Sequence, residues 1–348
     1  MGLSYSYSEQ TLTPLTTAAT SYFDYIDFEG IGGPTSLAGV NSLKGIRTST
    51  ISPTFSYNTV DHPIIPHHGL RVSLNFAFAG TALGGNVNTI QPAIDAAYFR
   101  RGIFKSNVMG FHVNARFIAG YGGKVAPPYS RYYLGGENDI RGFDLLTISP
   151  IAYIPTESQV AVLNNDGSAR VQKIVNADGS ISTTPVVQNV PSYQLILPGG
   201  DTAAVVNYEY RIPIVGPVVL APFIDAGVDR LTLPSQLGLN ADRVQQLNAL
   251  FPQSNFGQRA IIAPGTQKPR ISAGLELQVL LPVVNAPFRV YWAYNLSVVD
   301  TNLQAPNVAD RSFFPNNATY QNALTSLGLS NSLDERRSIF RFTIGRTF

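Results

Sequence analysis

The chain has 348 residues, a net charge of +2 and only 13% charged residues, against about 25% in ordinary soluble domains. This balance implies no field for binding polyanions, and the absence of cysteine excludes disulfide frameworks and thiolate metal sites. No apolar run reaches the roughly 18 residues that a transmembrane helix needs.

A period of two dominates the hydrophobic pattern. In the segment 69–80, for example, Val72, Leu74 and Phe76 share one face, and Ser73 and Asn75 share the other. The same alternation predicts ten strands, at 2–11, 47–59, 69–80, 89–101, 107–122, 202–213, 217–230, 268–281, 287–299 and 338–348. Most run about 9 to 13 residues, longer than the roughly 5 to 6 of soluble sheets. This length predicts strands that cross a bilayer, with the apolar face toward lipid and the polar face toward a lumen.

The connections between these strands alternate between long and short. The long ones are 12–46, 81–88, 123–201, 231–267 and 300–337, and the short ones are 60–68, 102–106, 214–216 and 282–286. Outer-membrane barrels have long extracellular loops and short periplasmic turns. The sequence therefore predicts an all-β, antiparallel transmembrane β-barrel forming a single domain over 1–348, in a bacterial outer membrane, with both chain ends periplasmic.

Two of the long connections have internal patterns. Asp-Gly turn signals predict a hairpin within 155–190, inside the extracellular loop 123–201. The segment "NADRVQQLNALFP" predicts a short helix that Asn240 caps and Pro252 ends.

The segment "YYLGGENDIRGFD", residues 132–144, presents a single arginine, Arg141, in the longest connection. An arginine at a loop tip is usually solvated. If the loop instead folds back into the lumen, parity offers two acceptors. Glu209 lies on the polar face of strand 202–213, and Asp225 lies on the lumen face of the adjacent strand 217–230. One guanidinium fork can satisfy two carboxylates at once.

Four segments, in order, resemble the BamA or bacterial surface antigen family of outer-membrane assembly and translocation barrels. The first is the loop signature, with Ile140 where the family usually has Val; its residues are Gly135, Gly136, Arg141, Gly142 and Phe143. The others are "DHPIIPHHGLRVSL", "APFIDAGV" and the terminal "FRFTIGRTF". The resemblance runs from about residue 47 to 348.

The family barrel has about 16 strands and follows soluble polypeptide-transport-associated domains. The resemblance thus implies that 1–348 is the C-terminal part of such a barrel, without the N-terminal soluble domains; a closed ten-stranded barrel is the alternative. It also implies that Arg141 tethers the loop to Glu209 and Asp225. The implied activity is insertion of other outer-membrane proteins through a lateral seam at the last strand, with seam residues Phe340, Phe342, Ile344, Gly345 and Phe348.

The expected partners are outer-membrane lipids, unfolded outer-membrane protein substrates and, through the N-terminal domains, assembly lipoproteins; no nucleic acid is expected. The alternative functions are a secretion pore or passive channel, or a barrel anchoring a separate secreted domain. A charged lumen of mixed sign suits a pore; its predicted lining is Arg116, Glu209, Arg211, Asp225, Arg270, Glu276, Arg289 and Arg341. The sequence has no nucleophile elbow or P-loop, and adjacent His67 and His68 lack a convergent ligand set. We expect no enzymatic activity, cofactor or metal.

Overall fold

The computed structural model describes residues 1–12, 43–281, 286–307, 309–328 and 330–345. The strands are β1 (Gly2–Leu12), β2 (Leu43–Asn58), β3 (Gly69–Ala79), β4 (Thr89–Arg101), β5 (Val108–Phe117), β6 (Ala119–Gly120), β7 (Ala152–Ala161), β8 (Val171–Val175), β9 (Ile181–Pro185), β10 (Val187–Ile196), β11 (Thr202–Val215), β12 (Val218–Arg230), β13 (Ile261–Ile262), β14 (Arg270–Leu281), β15 (Ala286–Ser297), β16 (Asp300–Leu303), β17 (Asn331–Asp334) and β18 (Ser338–Ile344). The helices are α1 (Ala241–Leu250) and α2 (Asn317–Leu327). Among the described residues, no helix has the length and apolarity needed to cross a membrane.

The main sheet contains all ten predicted strands. Its order is β1-β2-β3-β4-β5-β11-β12-β14-β15-β18, with every neighbouring pair antiparallel, and the short β6 extends the pairing of β4. One boundary was predicted wrongly, because strand 107–122 is interrupted after Phe117. There the N–H of Ile118 donates to the carbonyl of Asp201 (2.8 Å) instead of continuing the ladder. The fold class, an antiparallel all-β barrel sheet, is confirmed.

The two faces of the main sheet differ as the alternation predicted. On β12, for example, Phe223, Asp225 and Gly227 are buried, whereas Leu220 and Ile224 point the other way. We call the face that carries Asp225 the inner face and the opposite one the outer face. The outer face exposes aliphatic and aromatic side chains, as expected of a surface that meets lipid.

The long connections build their own small core on one end of the sheet. Strands β10, β7 and β13 form a three-stranded sheet, β8 pairs with β9, and β16 pairs with β17. Helix α1 begins after Asn240, whose side chain accepts the N–H of Arg243, as the sequence predicted. The buried cluster beneath this region includes Ile46, Ile154, Leu247 and Phe256. Apolar burial thus concentrates in the connections, while the apolar face of the main sheet stays exposed.

The β8–β9 hairpin lies inside the predicted 155–190 excursion and turns at Asp178 and Gly179, as the Asp-Gly signal indicated. The longer β7–β10 pair that carries this hairpin was not predicted as strands. The first four residues of β7 are all buried, so they show no alternation. Pro155 within the strand also weakens the pattern.

Candidate functional site

The segment 132–148, which we call the motif loop, folds back onto the inner face of the main sheet. Its two ends are held together by a bridge between Leu134 and Ile148. Inside it, the N–H of Gly136 donates to the carbonyl of Phe143 (3.1 Å), which closes a compact turn. Three motif glycines have positive φ angles, which only glycine adopts readily: Gly135 (+115°), Gly136 (+93°) and Gly142 (+95°).

This turn directs the Arg141 side chain into the sheet wall. Its Nε and Nη2 donate to the two carboxylate oxygens of Asp225 (2.7 and 2.8 Å), a bidentate pair. Its Nη1 donates to Glu209 (2.5 Å) and Glu276 (3.1 Å), and its guanidinium lies 3.7 Å from the ring centre of Phe223. Arg141 and the three carboxylate residues are 0% exposed. The structure therefore brings Arg141 together with both acceptors that the sequence singled out, and adds a third.

These groups belong to a larger set that we call the buried charge network. Its members are Arg141, Arg211, Arg289, Glu209, Asp225 and Glu276. The Arg211 Nε lies 2.9 Å from Glu209, and the Arg289 Nε lies 2.6 Å from Glu276. Three cations thus face three carboxylates, so the network is formally neutral. Neutrality matters here because an unpaired charge at full burial costs several kcal/mol.

The apolar motif residues dock the loop beside this network. Ile140 and Phe143 are buried against Val205 of β11 and other loop side chains. Ile140 also fills the space over Gly227 of β12, where an added Cβ would lie 2.5 Å from the Ile140 Cδ1. Sequence reasoning found the "DAG" segment but missed this packing role of its glycine.

Gly142 is held against β15 by a side-chain amide. Asn295 donates from its Nδ2 to the carbonyl of Gly142 (2.7 Å) and to the carbonyl of Arg336 (2.6 Å). A Cβ added to Gly142 would lie 2.3 Å from the Asn295 Oδ1. Both the backbone angle and the available space therefore require glycine at this position.

The terminal strand β18 presents its two faces as predicted. Phe340, Phe342 and Ile344 are exposed on the outer face, and the Phe342 ring lies 6.3 Å from that of Phe288 on β15. The N–H of Gly345 donates to the carbonyl of Pro287 (3.0 Å). The fifth predicted seam residue, Phe348, lies outside the described residues.

The inner face of β18 reaches the motif loop through Arg341. Its Nη2 donates to the Asp144 carboxylate, and its Nη1 lies 3.7 Å from Glu137. Both acids belong to the motif loop, one on each side of Arg141. Neither contact was predicted from the sequence, although Arg341 was placed on the lumen face.

The β2–β3 turn holds the adjacent histidines at the opposite end of the sheet from the long connections. Asp61 accepts the backbone N–H groups of His67 (2.9 Å) and His68 (3.1 Å). Desolvation raises the pKa of Asp61, but these N–H groups and the charge of His68 outweigh it and hold the pKa well below its usual range. Among the described residues, no three side chains of the His, Cys, Asp and Glu types converge on a metal position.

Comparison with known proteins matches residues 3–348 to the Omp85 superfamily domain. The match includes β1, which the sequence resemblance, beginning near residue 47, left out. A similar solved structure is that of BamA from Haemophilus ducreyi lacking POTRA domains 1-3, with a TM-score of 0.52 and 18% sequence identity. The likeness is one of fold and covers 85% of this chain and 48% of that one, so the chain spans about half the length of that structure.

Proposed function

The chain belongs to the Omp85 superfamily, and from this we propose that it inserts other outer-membrane proteins into the membrane through a lateral seam at β18. Family and fold support protein insertion or translocation at a bacterial outer membrane in general terms. The insertase role and the seam are the specific proposal. Its substrates would be unfolded outer-membrane proteins, and outer-membrane lipids would cover the outer face.

The observation that carries the proposal is the edge position of β18. This strand pairs with β15 on one side, and among the described residues it has no strand partner on the other. Its unpaired N–H and C=O groups can therefore accept an incoming strand by β-augmentation. The exposed side chains of Phe340, Phe342 and Ile344 would meet the lipid-facing side chains of that strand.

The orientation in the membrane follows from the short turns. Gly2 pairs with Thr54 near the short β2–β3 turn, and Ile344 pairs with Phe288 near the short β14–β15 connection. Both ends of the described chain thus lie at the end of the sheet that carries the short turns. If those turns are periplasmic, as in other outer-membrane barrels, both chain ends are periplasmic.

A photo-crosslinking residue tests the seam directly. Placed at Phe342 (72% exposed, edge strand), it should crosslink to a β-barrel substrate during assembly. Placed at Phe76 (55% exposed, on the outer face of the interior strand β3), it should crosslink to lipid alone. Equal substrate crosslinking at both positions, or none at Phe342 while substrate is being assembled, would exclude a seam at β18.

The alternative, a pore for a partner protein or for solutes, is less well supported by the charges of the inner face. Each of the eight residues predicted to line a charged lumen takes part in an ion pair. Six form the buried charge network or pair with the motif loop, Arg116 lies 3.6 Å from Asp139, and Arg270 lies 2.8 Å from Glu335. A stable open conductance of the purified protein in planar bilayers would favour the pore instead.

A further inference from the structure

The motif loop makes polar contacts with six consecutive strands of the main sheet. The strand residues are Arg116 on β5, Asn207 and Glu209 on β11, Asp225 on β12, Glu276 on β14, Asn295 on β15 and Arg341 on β18. Five of these strands lie between two neighbours in the sheet, whereas β18 lies at its edge. The contact with Arg341 therefore differs from the others, because it joins the loop to the strand that the sheet holds least.

We propose that Arg341 is a positioning residue that latches β18 to the motif loop through Glu137 and Asp144. Opening of the β18 edge then requires these ion pairs to break. The use of this opening in substrate insertion rests on the proposed function, but the latch itself is a property of the sheet and the loop.

The surroundings of β18 show why an inner-face contact controls it. Its outer side chains, such as Phe340 and Phe342, are exposed and meet lipid rather than protein. Its ladder hydrogen bonds run to β15 alone within the described chain. The inner-face side chains Ile339 and Arg341 are thus the side-chain hold of the protein on this strand, and Arg341 is the one that reaches the loop.

The latch differs in strength from the buried charge network. The side chains of Arg341, Glu137 and Asp144 are 28%, 27% and 46% exposed, whereas Arg141 and its acceptors are 0% exposed. Ion pairs that water reaches shift an equilibrium by only about two- to fivefold. The network therefore fixes the loop in place, and the latch is weak enough for the edge strand to leave the loop while the loop stays bound.

Hydrogen–deuterium exchange of peptides covering 338–344, with the purified protein in lipid nanodiscs, tests the latch. We expect Arg341→Met and the double variant E137Q/D144N each to speed exchange in β18 roughly threefold. Exchange in β11 and β12 should not change. Unchanged β18 exchange in both variants would overturn the proposal.

Arg71→Met is the matched control. Arg71 lies on the inner face of β3, its Nη2 is 3.9 Å from Asp95, and the two side chains are 35% and 37% exposed. This ion pair resembles the latch in exposure but joins two neighbouring strands away from the motif loop. Its loss should leave β18 exchange unaltered; a similar acceleration would mean that any inner-face ion pair has this effect, and would refute a latch.

Two further variants separate the latch from other causes. Combining Arg341→Glu with Asp144→Arg re-forms an ion pair of reversed sign and should restore slow exchange, which a merely steric role of Arg341 would not allow. If Arg341→Met fails to fold, as judged by loss of heat-modifiable migration, E137Q/D144N decides, because it leaves β18 unaltered. The exchange measurement needs no substrate, so the latch stands or falls separately from the crosslinking test of the seam.

Discussion

Replacing Arg141 by Met is expected to destabilise the folded protein by about 3–5 kcal/mol, the cost of breaking a buried ion pair on one side. The guanidinium makes four side-chain hydrogen bonds to three carboxylates. After the substitution, Glu209 keeps Arg211 and Glu276 keeps Arg289. Asp225 would retain, among the described contacts, a single hydrogen bond from the backbone N–H of residue 141. Most of the loss should therefore arise at Asp225.

The measurement is the free energy of unfolding from urea titration in lipid vesicles, read at an unchanged dependence on urea. Adding Asp225→Asn to Arg141→Met removes the unpaired charge and should recover roughly half of the loss, about 2 kcal/mol. Arg131→Met is the control, because Arg131 is also buried but donates to the carbonyls of Ala126 and Gln236, so its loss leaves no carboxylate unpaired. A double variant no more stable than Arg141→Met alone would refute the assignment of the loss to Asp225.

Three further substitutions probe the backbone of the site and of the turn. Gly142→Ala should cost about 1–3 kcal/mol, because its positive φ and its approach to Asn295 exclude a Cβ, and exchange of the motif loop should quicken. Gly227→Val should displace Ile140 and cost about 1–3 kcal/mol in the same urea titration; an unchanged value would show that the loop does not pack there. Asp61→Ala should speed proteolysis of the β2–β3 turn at neutral pH. Because the pKa of Asp61 is lowered in the folded turn, its stabilisation is complete above the ordinary carboxyl pKa of about 4 and is lost only as the pH falls through the folded value, so acidifying the unaltered protein to pH 5 should leave cleavage unchanged.

The main sheet was predictable because its two faces meet different surroundings. A strand with lipid on one side and a polar interior on the other must alternate, as in 69–80 and 202–213, and this alternation gives both the strand and its parity. The β7–β10 pair meets no such boundary. Its side chains pack into a small core among the connections, so burial follows local packing and the period of two is lost.

The acceptors of Arg141 show where parity suffices and where it stops. Parity placed Glu209 and Asp225 on the same side of adjacent strands, which was enough to expect one guanidinium between them. It also placed Glu276 on the polar face, but whether that side chain meets Arg141 depends on how deep the loop enters, and no sequence period encodes depth. The partners of Arg341, Glu137 and Asp144, lie in an irregular loop, where side-chain direction follows no repeat at all.

The buried charge network also constrains the order in which the chain can fold. Arg141 meets carboxylates that follow it by 68, 84 and 135 residues, so the network consists of contacts distant in sequence. None of these carboxylates can leave water alone without a penalty of several kcal/mol. Strands β11, β12 and β14 therefore cannot complete their inner face one at a time. The last major barrier in folding should be a single cooperative step in which the loop enters and all three strands lose their water together, and it should be slow, as is typical of such non-local assembly.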